Sequence, residues 1–190
     1  MEEKIRFSVT DLSIEILSEN YDFSEFECGV PALDYFFHNN IWMCVKYKYV
    51  SAYLVKYLGA VVAIFTLAHD TIAFLSDEEK ADFFEEMLLY VGDEYKDIFV
   101  QQTDFPSINI GHLATRKDMQ NKGIGSFVIN SILETFISYG MAGCQFVTVD
   151  SLNNPETNKF YQKNGFRFYT DNDTYRPTRR MFLPLNLFGF

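Results

Sequence analysis

Two glycines, Gly123 and Gly125, stand two residues apart in a loop that leads directly into a predicted helix. Glycine adopts positive φ angles and lets a ligand come close to the backbone. The first N–H groups of a helix have no partners inside the helix and lie at the positive end of its dipole, so they bind anions readily. The stretch 122–126 is therefore a candidate anion site, although loops of this type also occur as plain turns.

The residues around this loop do not match the two common nucleotide-binding motifs. Val128 stands where a dinucleotide-binding fingerprint has its third glycine, and the Gly-Lys-Ser/Thr of a P-loop is absent. Backbone amides can hold an anion without a metal. The three cysteines, Cys28, Cys44 and Cys144, lie too far apart in the chain for a zinc motif. We therefore expect an anion held by amides and no bound metal.

Hydrophobic periodicity predicts the elements that must hold the loop in place. Strands are predicted at 5–13, 51–57, 60–68, 108–115, 145–149, 166–169 and 180–185, and helices at 29–46, about 77–90, 126–139 and 154–163. The glycine at position 59 predicts an antiparallel hairpin, whereas the later strand–helix–strand units predict right-handed parallel crossovers. The predicted fold class is α/β (α+β), a mixed sheet with helices on both faces.

An acidic segment interrupts the predicted strands at about 70–106. Nine acidic residues and two lysines lie between positions 77 and 97, in a chain with 26 acidic and 16 basic residues and a net charge of −10. Apolar residues at i, i+1, i+4 and i+5 from Phe83 predict an amphipathic helix capped by Ser76 or Asp77. We expect a single domain of residues 1–190 in which this segment is a helical insertion, and a solvated helix face is its simplest interpretation.

The charge and the apolar runs also bear on partners and location. A global excess of negative charge disfavours non-specific binding to nucleic acids and to anionic membranes. The N-terminal charges are not followed by the apolar run of a signal peptide. The longest apolar run, 58–68, is too short to cross a bilayer. We therefore predict a cytoplasmic protein without a membrane partner.

Two motifs together resemble those of the GNAT superfamily of N-acetyltransferases. The run Gln120-Asn121-Lys122-Gly123-Ile124-Gly125 matches the family's Gln/Arg-x-x-Gly-x-Gly/Ala pattern, which binds the pyrophosphate of acetyl-CoA. The family's later pattern, an asparagine seven residues before Tyr-x-x-x-Gly-Phe, is matched by Asn154, Tyr161, Gly165 and Phe166. The resemblance covers 108–169 by motif and the rest of the chain by the order of its elements.

The resemblance implies a fold, an acyl donor and the residues that would hold the donor. The fold is a mostly antiparallel sheet with a parallel central pair of strands, splayed at the cofactor site, and the donor is acetyl-CoA. Its pantetheine would pair with a strand edge, as an added strand does. The cofactor-binding residues would be Leu113, Ala114, Thr115, Gln120, Asn121, Lys122, Gly123, Ile124, Gly125, Ser126 and Asn154. For Asn154, a helix cap is the structural alternative.

The resemblance also implies a reaction, the attack of a neutral amine on the thioester of acetyl-CoA. Such a reaction needs a base, a donor to the carbonyl oxygen and an acid for the leaving thiolate. Tyr161 is the acid that the resemblance implies, with packing beside Phe160 as its structural alternative. His112, whose ordinary pKa is about 6.5, is the first candidate for the base, Asp150 is the second, and a water chain is the third.

A third stretch narrows the resemblance within the family. The pattern Phe26-x-Cys28-Gly29-x-x-x-Leu33-Asp34-x-Phe36 and the run Gly111-His112-Leu113-Ala114 resemble a branch of toxins that acetylate aminoacyl-tRNA and pair with small antitoxins. This chain departs from that branch in its acidity, its acidic segment, and His112 where the branch commonly has arginine. Recognition of tRNA needs a basic surface. A modest basic patch is predicted from four arginines near the end of the sequence, Arg167, Arg176, Arg179 and Arg180.

The sequence therefore leaves three functions open. The main prediction is an acetyl-CoA-dependent N-acetyltransferase that acts on the primary amine of a small molecule or peptide. A cationic acceptor is favoured, because the chain order brings the ends of the acidic helix near the substrate side of strand 108–115 and its charge would attract cations. The alternatives are a toxin that acetylates aminoacyl-tRNA and a module that binds acyl-CoA without turnover. Nucleic acid is otherwise not expected as a partner, and a homodimer stays open.

Overall fold

The computed structural model describes residues 7–17, 21–74, 76–89 and 91–185. Its strands are β1 (Leu12–Ile16), β2 (Ser51–Tyr57), β3 (Ala60–Ala73), β4 (Asp104–Thr115), β5 (Phe146–Leu152), β6 (Arg167–Phe168) and β7 (Thr178–Pro184). Its α-helices are α1 (Pro31–Asn39), α2 (Ile41–Lys46), α3 (Asp77–Met87), α4 (Asp93–Gln101), α5 (Ile124–Ile137) and α6 (Pro155–Lys163). Short 3-10 turns cover Val9–Asp11 and Lys117–Met119. Within these ranges, no helix combines the length and the apolar character needed to cross a lipid bilayer.

The seven strands form one mixed sheet in the order β1-β2-β3-β4-β5-β7-β6. Strands β4 and β5 pair in parallel from Ser107↔Phe146 to Ile110↔Val149. The pairs β1–β2, β2–β3, β5–β7 and β6–β7 are antiparallel. The predicted mixed sheet with a parallel pair is therefore confirmed, whereas the splaying of that pair stays a prediction.

Two compact units share the chain. The first contains the described residues of 1–68 and 111–131, and the second those of 69–110 and 132–190. Both β3 and β4 contribute residues to each unit, since β3 crosses from 68 to 69 and β4 crosses from 110 to 111. The sequence-based expectation of a single domain stays a prediction.

The first unit is built on the hairpin of β2 and β3. Leu58 and Gly59 turn the chain with φ angles of 49° and 84°. A two-residue hairpin turn of type I′ requires positive φ at both of its central residues. One apolar cluster then joins the hairpin, the first two helices and β4, and its buried members are Leu17, Phe23, Phe26, Cys28, Phe37, Ile41, Ala52, Leu54, Val61, Ile64 and Ala114. The hairpin was predicted correctly because its turn and its apolar runs are local signals.

Three predicted elements of this region were wrong in their bounds. The helix expected at 29–46 is two helices, because the backbone at Asn40 leaves the helical path at φ −113°. The strand expected at 5–13 starts only at Leu12, since the Ser8 hydroxyl accepts from the Thr10 amide and starts a 3-10 turn, and positions 5 and 6 lie outside the described residues. Strand β3 runs past 68 to Ala73, where the Thr71 hydroxyl donates to the Phe105 carbonyl of β4 at 3.3 Å.

The acidic segment forms two helices instead of the one predicted. Ser76 caps α3 as expected, with its side-chain oxygen accepting from the Glu79 amide at 3.2 Å. Most of the acidic residues are exposed, although Glu79 and Glu86 are half-buried, and both helices bury aromatic residues in one cluster. Its buried members are Ile72, Phe83, Met87, Val91, Phe99, Phe105, Phe146 and Phe182. The segment is therefore more than a solvated face, since it supplies the core of the second unit; its status as an insertion stays a prediction.

The helices that carry the predicted site residues begin and end close to their expected positions. Helix α5 begins at Ile124, two residues before the predicted start. Helix α6 runs from Pro155 to Lys163 as predicted. Gly165 follows it at a φ of 89°, and a Cβ there would lie 3.1 Å from Leu183 Cδ1. The positive φ therefore favours glycine after α6, and a Cβ there would also be in tight contact with Leu183.

We expect the replacement Phe83→Ala to destabilise the fold strongly. Phe83 is 2% exposed, and its ring centroid lies 5.1 Å from that of Phe182 and 5.5 Å from that of Phe105. Removing a buried aromatic ring leaves a cavity that costs about 3–5 kcal/mol. Urea denaturation measures the loss, with Leu89→Ala as the control because Leu89 is 78% exposed. Similar losses in both variants would contradict the aromatic core described here.

Candidate active site

The loop between β4 and α5, residues 116–123, leads into the candidate anion site, and we call it the anion loop. Its first residue, Arg116, fastens it to the hairpin. Its amide donates to the Val62 carbonyl at 2.8 Å, and its Nη1 donates to the Val61 carbonyl at 3.0 Å. Its Nε and Nη2 also donate to the two carboxylate oxygens of Asp118, at 2.6 and 3.0 Å. The hydrogen bond from Arg116 lowers the pKa of the Asp118 carboxyl. The one acid in the loop thus stays ionised, but its charge is matched by the guanidinium.

The side chain of Gln120 ties the loop to Cys28 and to the end of β4. Its Nε2 donates to the Cys28 carbonyl at 2.8 Å and to the Thr115 carbonyl at 3.1 Å. Lys122, by contrast, is exposed, and its Nζ donates to the Asp118 carbonyl at 3.1 Å. The predicted cofactor contact of Gln120 stays a prediction, but its side-chain amide is already used within the protein.

The loop turns into α5 through two residues with positive φ. Asn121 has a φ of 62° and Gly123 a φ of 85°. A Cβ at Gly123 would meet only Val9 Cγ2, at 3.6 Å, so the conformation and not the space requires glycine. The Phe127 amide donates to the Gly123 carbonyl at 3.0 Å, which closes the first turn of α5. The amides before it have no acceptor within the helix, so the geometry fits the anion site predicted from the sequence.

The predicted pantetheine-binding residues lie at the end of β4. Ala114 is buried in the core of the first unit, while Leu113 and Thr115 are half-buried. The Thr115 carbonyl accepts from Gln120 at 3.1 Å, which ties the end of this strand to the anion loop. Their contact with a cofactor stays a prediction.

His112 is packed between an aromatic ring and a hydroxyl. Its ring stacks on Phe36 with the centroids 3.6 Å apart and the planes 8° apart. Its Nδ1 is hydrogen-bonded to the Thr66 hydroxyl at 3.1 Å. Burial lowers the pKa of His112 to about 4, because the charged imidazolium is poorly solvated there. The ring is therefore neutral at pH 7. With a pKa this low, His112 is a weak base for catalysis.

Tyr161 and Asn154 lie on α6, in the second unit. Tyr161 is 6% exposed, and its ring makes edge contacts with Phe160 and Phe166 at centroid distances of 5.0 and 5.3 Å. Burial raises the pKa of Tyr161, so the phenol keeps its proton at neutral pH. No described residue hydrogen-bonds its hydroxyl. Asn154 caps α6 by accepting from the Thr157 amide at 2.9 Å.

A polar cluster on the strands of the second unit was not predicted. The Thr148 hydroxyl donates to Asp70 at 2.5 Å, and the Asn109 side chain donates to that same hydroxyl at 3.2 Å. Arg180 pairs with Asp70 and, at 3.1 Å, with Asp150. Asp150, the second candidate for the base, is thus paired with a guanidinium that it shares with Asp70. The sequence did contain one indication of this cluster, which our prediction did not use. Thr148 is a polar residue within the apolar strand predicted at 145–149.

Comparisons with known proteins agree with this geometry. A sequence profile of the acetyltransferase (GNAT) domain matches residues 59–168, which is more than half of the chain. Among curated proteins, none matches significantly.

Solved structures share the fold over nearly the whole chain. AtaT complexed with acetyl-methionyl-tRNAfMet superposes with a TM-score of 0.69 at 22% identity, covering 92% of this chain and 95% of its own. AtaTR bound with acetyl-CoA gives 0.67 at 22%, covering 93% and 95%. A tyrosine-to-phenylalanine mutant of KacT gives 0.70 at 18%, covering 93% and 96%. At these identities, the likeness is one of fold.

We expect folding stability to depend on pH through His112. Since its pKa is about 4 in the folded chain and about 6.5 when unfolded, the unfolded chain takes up a proton first as the pH falls. Stability should therefore drop from pH 6.5 towards pH 4, by at most about 1.4 kcal/mol per unit. Denaturation of the His112→Gln variant across this range should show a flatter profile.

The replacement His69→Gln controls for the loss of an imidazole, because His69 is exposed on β3. It should keep the wild-type slope. An equal slope in wild type and His112→Gln would mean that the burial of His112 does not set its pKa.

Proposed function

The chain belongs to the acetyltransferase (GNAT) family, whose acyl donor is acetyl-CoA, and we propose that it acetylates a primary amine by direct attack of the amine on the thioester. The observation that carries this proposal is the loop between β4 and α5. Positive φ at Gly123 and the fastening of Arg116 leave the first amides of α5 to bind an anion.

The residues present fit acetyl-CoA as a bound donor. The amides of 122–126 would hold the pyrophosphate, because an array of N–H groups at a helix N-terminus matches a diphosphate without a metal. The edge of 113–115 would pair with the amides of pantetheine, and Asn154 would add a contact beyond its cap. When bound, acetyl-CoA supplies the acetyl group as a thioester, which is the electrophile of the reaction.

Tyr161 is the proposed general acid. The amine nitrogen forms a bond to the carbonyl carbon, the carbon–sulfur bond breaks, and its electron pair goes to sulfur. Tyr161 donates its phenolic proton to that sulfur and is then reprotonated from solvent. Burial raises the pKa of Tyr161, so the phenol carries its proton before each turnover. The same burial opposes formation of the phenolate, so the transfer depends on the basicity of the departing thiolate.

The proton of the attacking amine goes to water in this proposal. His112 is neutral at pH 7, but a pKa of about 4 makes it too weak a base to take a proton from an ammonium group efficiently. Asp150 is paired with Arg180 at 3.1 Å. Of the three candidates for the base, a water relay therefore fits the structure best, and His112 is assigned to packing against Phe36.

The proposed acceptor is a cationic amine on a small molecule or peptide. The net charge of −10 and the outward carboxylates of α3 and α4 attract cations and repel polyanions. Attraction of this kind weakens as salt is added. The acceptor then loses its proton before it attacks.

Aminoacyl-tRNA is the second candidate acceptor, and the fold favours it, since AtaT is seen complexed with acetyl-methionyl-tRNAfMet. The arginines that would form a basic patch speak against it. Arg167 pairs with Glu86 at 2.8 Å. Arg179 is buried against Asp173 at 2.7 Å, and Arg180 is shared between two aspartates. Three of the four predicted patch arginines are therefore already neutralised.

We expect Tyr161→Phe to lower turnover by about 100-fold, the effect of losing a general acid. The ring and its packing remain, so acetyl-CoA affinity should stay within about twofold of wild type. Single-turnover rates and calorimetry measure the two quantities. The control is Tyr139→Phe, because Tyr139 is exposed. Unchanged turnover in Tyr161→Phe would assign Tyr161 to packing alone.

We expect thiol release from labelled acetyl-CoA when the chain is given cationic amines or peptides with free amino groups. The panel includes charged tRNA. Release with charged tRNA alone would establish the second candidate, and binding of acetyl-CoA without any release would establish a module that does not turn over.

The charge argument is tested in the same assay with Glu78, Asp82 and Glu85, all exposed on α3, changed together to lysine. The KM of the cationic acceptor should rise by about threefold or more at low salt. The control changes exposed Asp11, Glu25 and Glu134 to lysine, which alters the net charge equally. An unchanged KM in the α3 variant would leave α3 as a structural cover only.

A further inference from the structure

The pattern Phe26-x-Cys28-Gly29-x-x-x-Leu33-Asp34-x-Phe36 has no part in the proposed reaction, yet the structure gives its aspartate a definite task. Asp34 lies on α1 and is half-buried. Its Oδ1 accepts from the Cys28 amide at 2.7 Å, and its Oδ2 accepts from the Gly29 amide at 3.2 Å. Both oxygens of one carboxylate thus fix two consecutive amides of the segment 27–29, which we call the support segment.

The other side of the support segment holds the anion loop. The Cys28 carbonyl accepts from Gln120 Nε2 at 2.8 Å. The Glu27 carbonyl accepts from the Lys117 amide at 2.9 Å. The support segment therefore receives two hydrogen bonds from the loop through its carbonyls, while its amides are held by Asp34. A continuous chain of hydrogen bonds leads from α1 through 27–29 to the start of the loop.

We propose that Asp34 is a positioning residue for the acetyl-CoA-binding loop, acting through the support segment and Gln120. The inference rests on the proposed function of that loop. Asp34 itself need not touch the donor. It fixes the carbonyl of Cys28, the carbonyl fixes the amide group of Gln120, and Gln120 fixes the loop just before the residues that would bind the pyrophosphate.

The conformation of the support segment requires a restraint of this kind. Gly29 has a φ of 82°, a region in which glycine is free to move in the absence of other contacts. A Cβ at Gly29 would meet the Lys117 side chain at 3.6 Å, so the segment runs close to the loop. The bidentate carboxylate selects one conformation of this flexible turn and orients both carbonyls towards the loop.

Residues of the pattern and their neighbours on α1 hold that helix, and with it Asp34, in place. The Phe26 and Phe37 rings meet edge to face at 5.7 Å, and His38 Nε2 donates to the Phe26 carbonyl at 2.8 Å. Phe36 stacks on His112 of β4. Helix α1 is thereby held both to the support segment and to the strand that precedes the loop.

The ionised state of Asp34 suits this role. Burial alone raises the pKa of the Asp34 carboxyl, but the hydrogen bonds from Cys28 and Gly29 outweigh burial and leave that pKa below its usual value. A carboxylate at neutral pH accepts two hydrogen bonds at once. Asparagine would keep one acceptor oxygen and lose the second.

The test measures steady-state kinetics and acetyl-CoA affinity in Asp34→Ala and Asp34→Asn. The KM for acetyl-CoA should rise by about tenfold in the alanine variant and less in the asparagine variant, since a hydrogen bond to a charged group is lost in full or in part. The kcat and the KM of the acceptor should stay within about twofold. Asp22→Ala is the matched control, because Asp22 also accepts from a loop amide, that of Ser24 at 2.9 Å.

A double-mutant cycle separates positioning from simple stabilisation. Gln120→Met removes the donor to the Cys28 carbonyl at nearly the same volume, and its effect on acetyl-CoA affinity should not add to that of Asp34→Ala, because both break one chain of contacts. Additive effects would overturn the inference. The inference would also be overturned if Asp34→Ala lowered kcat, both affinities and the melting temperature together. An unchanged KM for acetyl-CoA in that variant would overturn it as well. If Asp34→Ala fails to fold, Asp34→Asn and Gln120→Met decide the question.

Gly125→Glu distinguishes a failure of this inference from a failure of the proposed function. Its bulk and charge should abolish acetyl-CoA binding if the pyrophosphate lies on the amides of 122–126. Unchanged affinity in Gly125→Glu would overturn the placement of the donor and the role of Asp34 with it. Lost affinity in Gly125→Glu combined with wild-type affinity in Asp34→Ala would overturn the role of Asp34 alone.

Discussion

The candidate site depends on a group of backbone N–H donors that the fold must leave unpaired. Buried backbone donors are normally satisfied within the protein, so a site of this kind needs its N–H groups at the surface and their neighbours held by other groups. The chain does this with the side chains of Arg116 and Gln120, which bond to carbonyls of β3, β4 and the support segment. Rigid contacts on one side of the loop leave the opposite side for an anion.

Burial has the same effect on the two titratable groups first considered for catalysis, although their pKa values move in opposite directions. It raises the pKa of Tyr161 and lowers that of His112 to about 4, because in each case the neutral form is favoured away from water. The phenol therefore keeps its proton and the imidazole stays without one, so burial opposes a change of charge at both groups. The proposed transfer from Tyr161 then requires a strongly basic acceptor, which a departing thiolate is, and the proposed route for the amine proton leads to solvent.

Local signals allowed much of the fold and the loop to be predicted. The hairpin at Leu58 and Gly59, the start of α5 and both ends of α6 follow from turn, cap and proline residues close in sequence. The break at Asn40 and the start of the second acidic helix at Gly92 have no side-chain cap, so their signals are weaker than those of α6. The contacts that orient the loop were beyond prediction for another reason, since the bond between Gln120 and Cys28 joins residues 92 positions apart. Their chemistry is visible in the sequence, but their proximity is created only by folding.

Helix α3 has one face in the aromatic core and one face in solvent, and this bears on how the chain can diverge. Phe83 and Met87 are buried in the aromatic core, whereas Glu78, Asp82 and Glu85 are exposed. Exposed substitutions usually change stability by about 0.5 kcal/mol or less. The outer face can therefore change its charge at little cost in stability, whereas the inner face cannot change without loss of the aromatic core. The surface charge of this unit is thus free to diverge between lineages without any change of scaffold.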